Sequence, residues 1–244
     1  TLRWFLVASP ILRGLNLQID KEGKAIGEVV RTVLNPIWNA YYFFTLYANA
    51  DGVKAEFSAA SSQLLDRYIL SKTRAFIESL TAAFDAYDLA AACQEVVAFL
   101  EALNNWYIRR SRERFWKHDR DQDKIDAYNT LYTVLVSLTK AVAPLLPMLS
   151  EEIFRGLTGE ESVHLTDWPE VTAFPRETEL VASMDRVREV CSVALSIREA
   201  HNLRTRLPLA SLAVAGAGVA ALAPYEALIR DEINVKRVDL SSDI

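Results

Sequence analysis

The sequence predicts a mainly α fold, an antiparallel helix bundle followed by a small α+β unit. Three observations carry that prediction. Apolar residues recur at helical spacing through roughly the first 160 positions. Four long helical stretches are separated only by short turn-rich segments, the pattern of antiparallel neighbours. Past "GEESVHLTDWPEVTAFP", which is rich in Gly, Pro and polar residues, a single helix is followed by two β-rich runs.

The elements follow in order. A short apolar segment, Leu2 to Ala8, leads to a loop around Pro10 and Gly14. A long helical stretch runs from about Glu22 to Ala50, where Pro36 is expected to kink or interrupt it, and "NADG" (Asn49 to Gly52) is a turn signal. A second helix is expected from about Ser62 to Ala83, with Leu65, Ile69, Phe76, Ile77 and Leu80 on one stripe. After "FDAYD", Asp88 is placed to cap a third helix that reaches about Lys117. "HDRDQDK" reads as a polar hinge before a fourth helix, about Ile125 to Ala143. Pro144 and Pro147 break the pattern, and a short helix through Glu151, Glu152 and Phe154 closes the bundle. In the last part, a helix from about Glu177 to Ala200 precedes "LPLASLAVAG", a strand. A short helix around Glu226 to Asp231 and the β-rich "NVKRVDL" complete it. The expected division is a connecting segment at 1–21, the bundle at 22–160, a linker at 161–176 and the α+β unit at 177–244.

Composition narrows the function classes. The 244 residues are 51% hydrophobic and 24% charged, an ordinary globular composition with enough apolar mass for a core. A formal charge of −5 argues against binding duplex nucleic acid over the whole surface, but leaves room for a local basic site. Two distant cysteines, Cys93 and Cys191, exclude a Cys-rich zinc cluster and a disulfide scaffold, and fit buried thiols in a reducing cytoplasm. Leu207 to Tyr225 carries no charge, yet Pro208, Gly216, Gly218 and Pro224 break it, so no membrane span is expected. No signal-peptide pattern opens the chain. "TLRWFLVAS" begins inside an amphipathic pattern without Met or cap, so a piece of a longer protein is expected.

Catalytic constellations are sparse. The three histidines, His118, His164 and His201, share no zinc-helix spacing, and there is no nucleophile elbow, phosphate-cradling Gly-rich loop or dinucleotide fingerprint. Glu151 and Glu152 are adjacent and so point to different helix faces. The segment "NNWYIRRSRERFWKHDR", from Asn104 to Arg120, is different. Between Trp106 and Lys117 it places Arg109, Arg110, Arg112, Arg114 and Lys117 against the single anion Glu113. The stripe Val96, Phe99, Leu103, Trp106 and Tyr107 continues on a regular helix to Arg110 and Arg114. Either the helix has run past its packing partners there, or those arginines meet buried acids.

Two readings of this segment stand side by side. Cations favour the negative end of a helix dipole, so the segment can be a helix terminus capped by aromatics. It can equally be a platform for single-stranded RNA, with bases stacked on aromatic or guanidinium planes and arginines on phosphates. The choice of Arg, whose planar fork Lys lacks, tilts toward RNA. A second patch, "IREAHNLRTRLPL", sets Arg204 and Arg206 two apart, on one face if they lie in a strand. They suit either an exposed edge that discourages strand addition or a secondary RNA contact. Trp168 is expected to cover the end of the bundle.

"NNWYIRRSRERFW", preceded by "LDRYILSKT" and followed by "SVHLTDWPE", resembles the helical anticodon-binding domain of class I aminoacyl-tRNA synthetases, the members for branched aliphatic amino acids above all. "LRWFLVASPILRGLNL", "NLRTRLPLASLAVAG" and "RDEINVKRVDL" resemble the segments flanking that bundle in the isoleucyl-tRNA synthetase family. The resemblance covers nearly the whole chain in order. It implies binding of the anticodon stem-loop of an isoleucine-accepting tRNA, with residues 1–21 connecting to the enzyme's own catalytic domain. Matching positions for anticodon contact are Asn105, Trp106, Tyr107, Arg109, Arg110, Arg112 and Arg114. Trp106 is assigned packing or stacking, Arg110 and Arg114 phosphates or base edges, and Phe115 and Trp116 structure. Arg204 and Arg206, which the resemblance does not assign, are a candidate secondary contact. The HIGH and KMSKS motifs are absent, so this chain is not expected to activate isoleucine, nor to hold a cofactor or metal. ATP and Mg are implied for the full-length enzyme, which is expected to be a cytoplasmic monomer. Valyl- and leucyl-specific relatives share the bundle, and a helical protein-interaction module is the reading from another class.

Overall fold

The computed structural model describes residues 1–17, 21–119 and 121–241. Gln18 to Asp20 of the connecting segment, Arg120 of the expected hinge and Ser242 to Ile244 lie outside them. The chain folds as two compact units, Thr1–Arg176 and Glu177–Ile244.

In the first unit, helix α1 (Leu2–Val7) buries Trp4 and Phe5. The first long stretch is helical from Lys24 to Asp51, as α2 (Lys24–Val29), a π-helical segment (Val30–Leu34) and α3 (Asn35–Asp51). Pro36 interrupts nothing. It sits in the first turn of α3, and the wider π turns just before it absorb the missing N–H donor. Gly52 ends the helix at φ 61, a left-handed conformation that glycine adopts without a Cβ penalty.

Helix α4 (Leu64–Asp85) buries Tyr68, Ile69, Phe76, Ile77 and Leu80. Asp88 caps α5 (Leu89–Glu101), its carboxylate accepting from the Ala91 N–H at 3.0 Å. The expected third helix is unbroken, but Ala102–Ile108 is π-helical before α6 (Arg109–Trp116). The last three residues of the expected hinge, Gln122 to Lys124, already belong to α7 (Gln122–Val142), with Asp121 accepting from the Lys124 N–H at 2.9 Å. Pro147 begins α8 (Pro147–Thr158), because its missing N–H is unneeded in a first turn.

Side-chain contacts fix the packing of the long helices. Phe76 stacks on Phe99 at 4.4 Å while Asp66 reaches Arg114, so α4 runs antiparallel to α5–α6. Tyr128 of α7 meets both Phe44 of α3 (6.2 Å) and Phe115 of α6 (5.0 Å). Residues 161–176 pack on the same unit. Trp168 donates to Thr81 Oγ1 at 3.0 Å and lies edge-on to Phe84, and Arg74 donates to the Phe174 carbonyl.

The second unit comprises α9 (Thr178–Ala200), β1 (Leu209–Ala215), α10 (Glu226–Ile233) and β2 (Val235–Ser241). The strands pair in parallel with Leu209 opposite Val235, an arrangement that needs a crossover. A 3-10 segment (Val219–Tyr225) and α10 supply it. Among the described residues no helix is long and apolar enough to cross a membrane.

Candidate nucleic-acid interface

The π-helical segment decides which side of α6 faces solvent. On a regular helix the core stripe through Leu103 and Trp106 would continue to Arg110 and Arg114. The i→i+5 bonding of Ala102–Ile108 rotates the turns after it, and the buried stripe instead runs Tyr107, Ser111 and Phe115. Exposed residues then recur at i, i+4, i+7 and i+11 as Asn105, Arg109, Arg112 and Trp116, with exposed Glu113 at their edge. These four share one helix face.

The expected site residues divide accordingly. Trp106 is 3% exposed and Tyr107 0%, so neither ring is open to a base in this conformation. The Arg110 guanidinium, half-buried, lies 5.2 Å over the Trp106 ring, a cation–π pair at i, i+4. Arg109 donates from Nε to the Asn105 carbonyl at 2.8 Å and stays exposed. Arg112 makes no hydrogen bond or ion pair with the described residues. Trp116, assigned to structure by resemblance, is 53% exposed and meets no ring among the described residues.

Arg114 points the other way, into a buried acid. Its two Nη atoms grip the carboxylate of Asp66 at 2.6 and 2.8 Å, and Nε donates to Asp123 Oδ1 at 2.9 Å. Asp66, fully buried, also accepts from the Tyr107 hydroxyl at 2.9 Å and Ser61 at 2.6 Å. Burial, reinforced by the Asp66 charge, holds the Tyr107 phenol well above its ordinary range. Burial works against the Arg114 charge, but the bidentate bond to Asp66 outweighs it and raises the guanidinium pKa.

A parallel clamp lies alongside. The buried Lys124 ammonium donates to Asp51 and to the Lys117 carbonyl, both at 2.6 Å, and Tyr128 donates to the same Asp51 oxygen at 2.5 Å. Lys117 in turn binds Asp121 and Asp123. Two carboxylate–cation–tyrosine sets therefore lock α6 and the start of α7 onto α3 and α4. Sequence reasoning missed Asp66, although it sits one residue from Leu65 and three before Ile69 at the head of an apolar stripe. An acid in that position is the signal for a buried cation.

Arg204 and Arg206 are not on a strand, contrary to expectation. They lie in an exposed loop, 201–208, and β1 starts only at Leu209. The carbonyls of Arg204, Thr205 and Leu207 are taken by the side chains of Arg198 and Asn234. Among the described residues no group of His, Cys, Asp and Glu could hold a metal ion. Cys93 and Cys191 are buried and not joined in a disulfide, and burial pushes the Cys93 pKa up to about 12.

Comparison with known proteins bears on this arrangement. Residues 66–214 match the family described as anticodon-binding domain of tRNA ligase. The isoleucine–tRNA ligase of Leifsonia xyli subsp. xyli is 54% identical over 240 residues, covering 98% of this chain and 21% of that protein. That of Corynebacterium efficiens is 54% identical over 243 residues, 100% of this chain and 22% of that protein. That of Wolbachia pipientis wMel is 45% identical over 269 residues, 98% and 24% respectively. The chain thus spans about a fifth to a quarter of the length of these curated relatives.

Proposed function

Because the chain belongs to the family of tRNA-ligase anticodon-binding domains, we propose that the exposed face of α6 is its contact with the anticodon stem-loop. The observation that carries this is the row Asn105, Arg109, Arg112 and Trp116, open to solvent on an otherwise anchored helix. Arg109 and Arg112 offer planar forks to phosphates. The Trp116 ring offers a face on which an unpaired base can stack, and Asn105 can donate to or accept from a base edge. Trp106, Tyr107, Arg110 and Arg114 act on RNA only indirectly, by fixing the axis and rotation of the helix.

The whole protein is proposed to be an isoleucine–tRNA ligase that binds isoleucine-accepting tRNA, as a monomer in the cytoplasm. The names of the relatives above support the ligase part of that reading. ATP and Mg belong to the ligation, and the described residues of this chain present no group for the metal. The role of this chain is to hold the tRNA so that its acceptor end reaches a catalytic domain elsewhere in the protein.

Binding of an isoleucine-accepting tRNA, titrated at two salt concentrations, tests the α6 face. Trp116→Ala is expected to weaken binding by about 1–3 kcal/mol, the worth of one stacked base. Arg109→Ala with Arg112→Ala should make the dependence of log K on log salt shallower by about 1.4–1.8. Unchanged binding in both, with helix content retained, would overturn the assignment.

A further inference from the structure

The second unit holds a buried arginine whose partners are all backbone oxygens. Arg198, in the last turn of α9, is 3% exposed. Its Nη1 donates to the Ile233 carbonyl at 3.2 Å, and Nη2 donates to the carbonyls of Arg204 (2.5 Å) and Leu207 (2.6 Å). No carboxylate of the described residues pairs with it. A charge buried without a counter-ion is costly, so a side chain kept there has work that an apolar residue of the same size could not do. Here that work falls on the loop 201–208.

The loop is wholly exposed, yet its backbone is fixed from end to end. It begins with a Schellman motif, in which the Leu203 N–H bonds the Arg198 carbonyl at 2.8 Å and the Asn202 N–H bonds Glu199 at 2.9 Å. Asn202 takes the left-handed conformation at φ 55 that the motif requires. Asn234 then donates from Nδ2 to the Thr205 carbonyl at 2.9 Å, and the Leu209 N–H closes the loop on the Asn234 carbonyl at 3.1 Å. The carbonyls of residues 204, 205 and 207 are therefore all taken by the protein. The guanidinium groups of Arg204 and Arg206 make no hydrogen bond or ion pair with the described residues. Lys236, exposed one residue beyond the Leu209 partner Val235, adds a third cation.

We propose that loop 201–208 is a second RNA site, in which Arg204 and Arg206 hold phosphodiesters of the tRNA backbone and Arg198 is their positioning residue. A loop already ordered loses little entropy on binding, so each fork meets a phosphate at low cost. Phosphate is the fitting ligand, because the loop offers two planar forks and no exposed aromatic ring for a base. The inference rests on the tRNA-binding reading of the chain, but on none of the residues of α6.

The test uses the whole chain with isoleucine-accepting tRNA across a salt series. Arg204→Ala with Arg206→Ala is expected to lower affinity and to make the log–log salt slope shallower by about 1.4–1.8, two contacts' worth. Arg198→Lys, which keeps the charge but cannot span three carbonyls, should give a similar loss and faster amide exchange in residues 203–208. In the Arg204→Ala/Arg206→Ala background it should remove nothing more, whereas a merely structural role would lower affinity in both backgrounds. Additive loss overturns the positioning role. If the Arg204/Arg206 variant binds with wild-type affinity and slope while Arg109→Ala/Arg112→Ala weakens binding, the second site falls and the α6 reading stands. The reverse pattern removes the α6 assignment and keeps this one. Should Arg198→Lys not fold, the Arg204/Arg206 variant, altered only at exposed side chains, still decides whether the site exists.

Discussion

In α6 a buried carboxylate holds an arginine, whereas at the end of α9 a buried arginine holds carbonyls. Both arrangements fix a cationic segment, but by opposite logic. Asp66 gathers Arg114, Tyr107 and Ser61 around one negative charge, so its set is a neutralised pair at the heart of a network. Arg198 gathers dipoles only, and its charge remains. The contrast separates two uses of arginine within one chain. An arginine whose charge is matched by a buried acid is spent on architecture. Those left facing solvent on the same segment are the ones proposed to attract RNA, an attraction that an acidic remainder would keep local.

Breaking the two anchors should expose the difference most strongly. Asp66→Ala removes the bidentate, fully buried partner of Arg114, leaving only the half-buried Asp123, and is expected to destabilise the first unit by about 3 kcal/mol, the low end for a broken buried pair, read by denaturant unfolding. Arg198→Met removes a buried charge together with its bonds, leaving the Ile233 and Leu207 carbonyls without their donor at up to about 1–3 kcal/mol each. Relief of the charge offsets part of that, so the second loss should be the smaller. If Arg198→Met proves the more damaging, a neutralised pair is not the firmer of the two anchors.

Acid provides a finer separation. The Asp121 pKa lies below its ordinary 3.8, held down first by the Lys117 ammonium and then by the Lys124 N–H. A carboxyl whose folded pKa is depressed contributes stability that is present above its unfolded value and lost as pH falls through the folded one. Amide protection at the α6–α7 corner should therefore fall as pH drops below about 3.8, the unfolded value. Loop 201–208 is held without a carboxylate, by side-chain donors on its backbone carbonyls. Hydrogen exchange from pH 5 down to pH 3, where opening rather than intrinsic rate is compared, should show loss at the corner first.

How much of this was legible in the sequence depends on what kind of information each feature needed. The helix bundle followed from apolar periodicity, and Asp88 as a cap followed from residue type and position. The break expected at Pro144 and Pro147 is there, between α7 and α8, with Pro147 as the first residue of the new helix. The rotation of α6 was misread for a physical reason. Extrapolating Trp106 to Arg110 and Arg114 assumes 3.6 residues per turn, and the π-helical Ala102–Ile108 breaks that assumption just before the arginines. No single residue in "ALNNWYI" announces such a segment. What did survive was the alternative that arginines on a core stripe meet buried acids. Arg114 does so at Asp66, 48 residues earlier in the chain.

The smallest expected effect is also the one that best isolates the RNA face. Arg112 is exposed and makes no hydrogen bond or ion pair with the described residues. Arg112→Ala should therefore leave stability within about 0.5 kcal/mol of the parent chain. It should nonetheless reduce the salt slope of tRNA binding by about 0.7–0.9, the value of one phosphate contact. Arg114→Ala predicts the reverse, a large loss of stability with a slope unchanged in whatever chain remains folded. Equal slopes for Arg112→Ala and the parent would mean that exposure on α6 does not select the residues that touch RNA. The division between anchoring and binding arginines would then have to be drawn elsewhere on the helix.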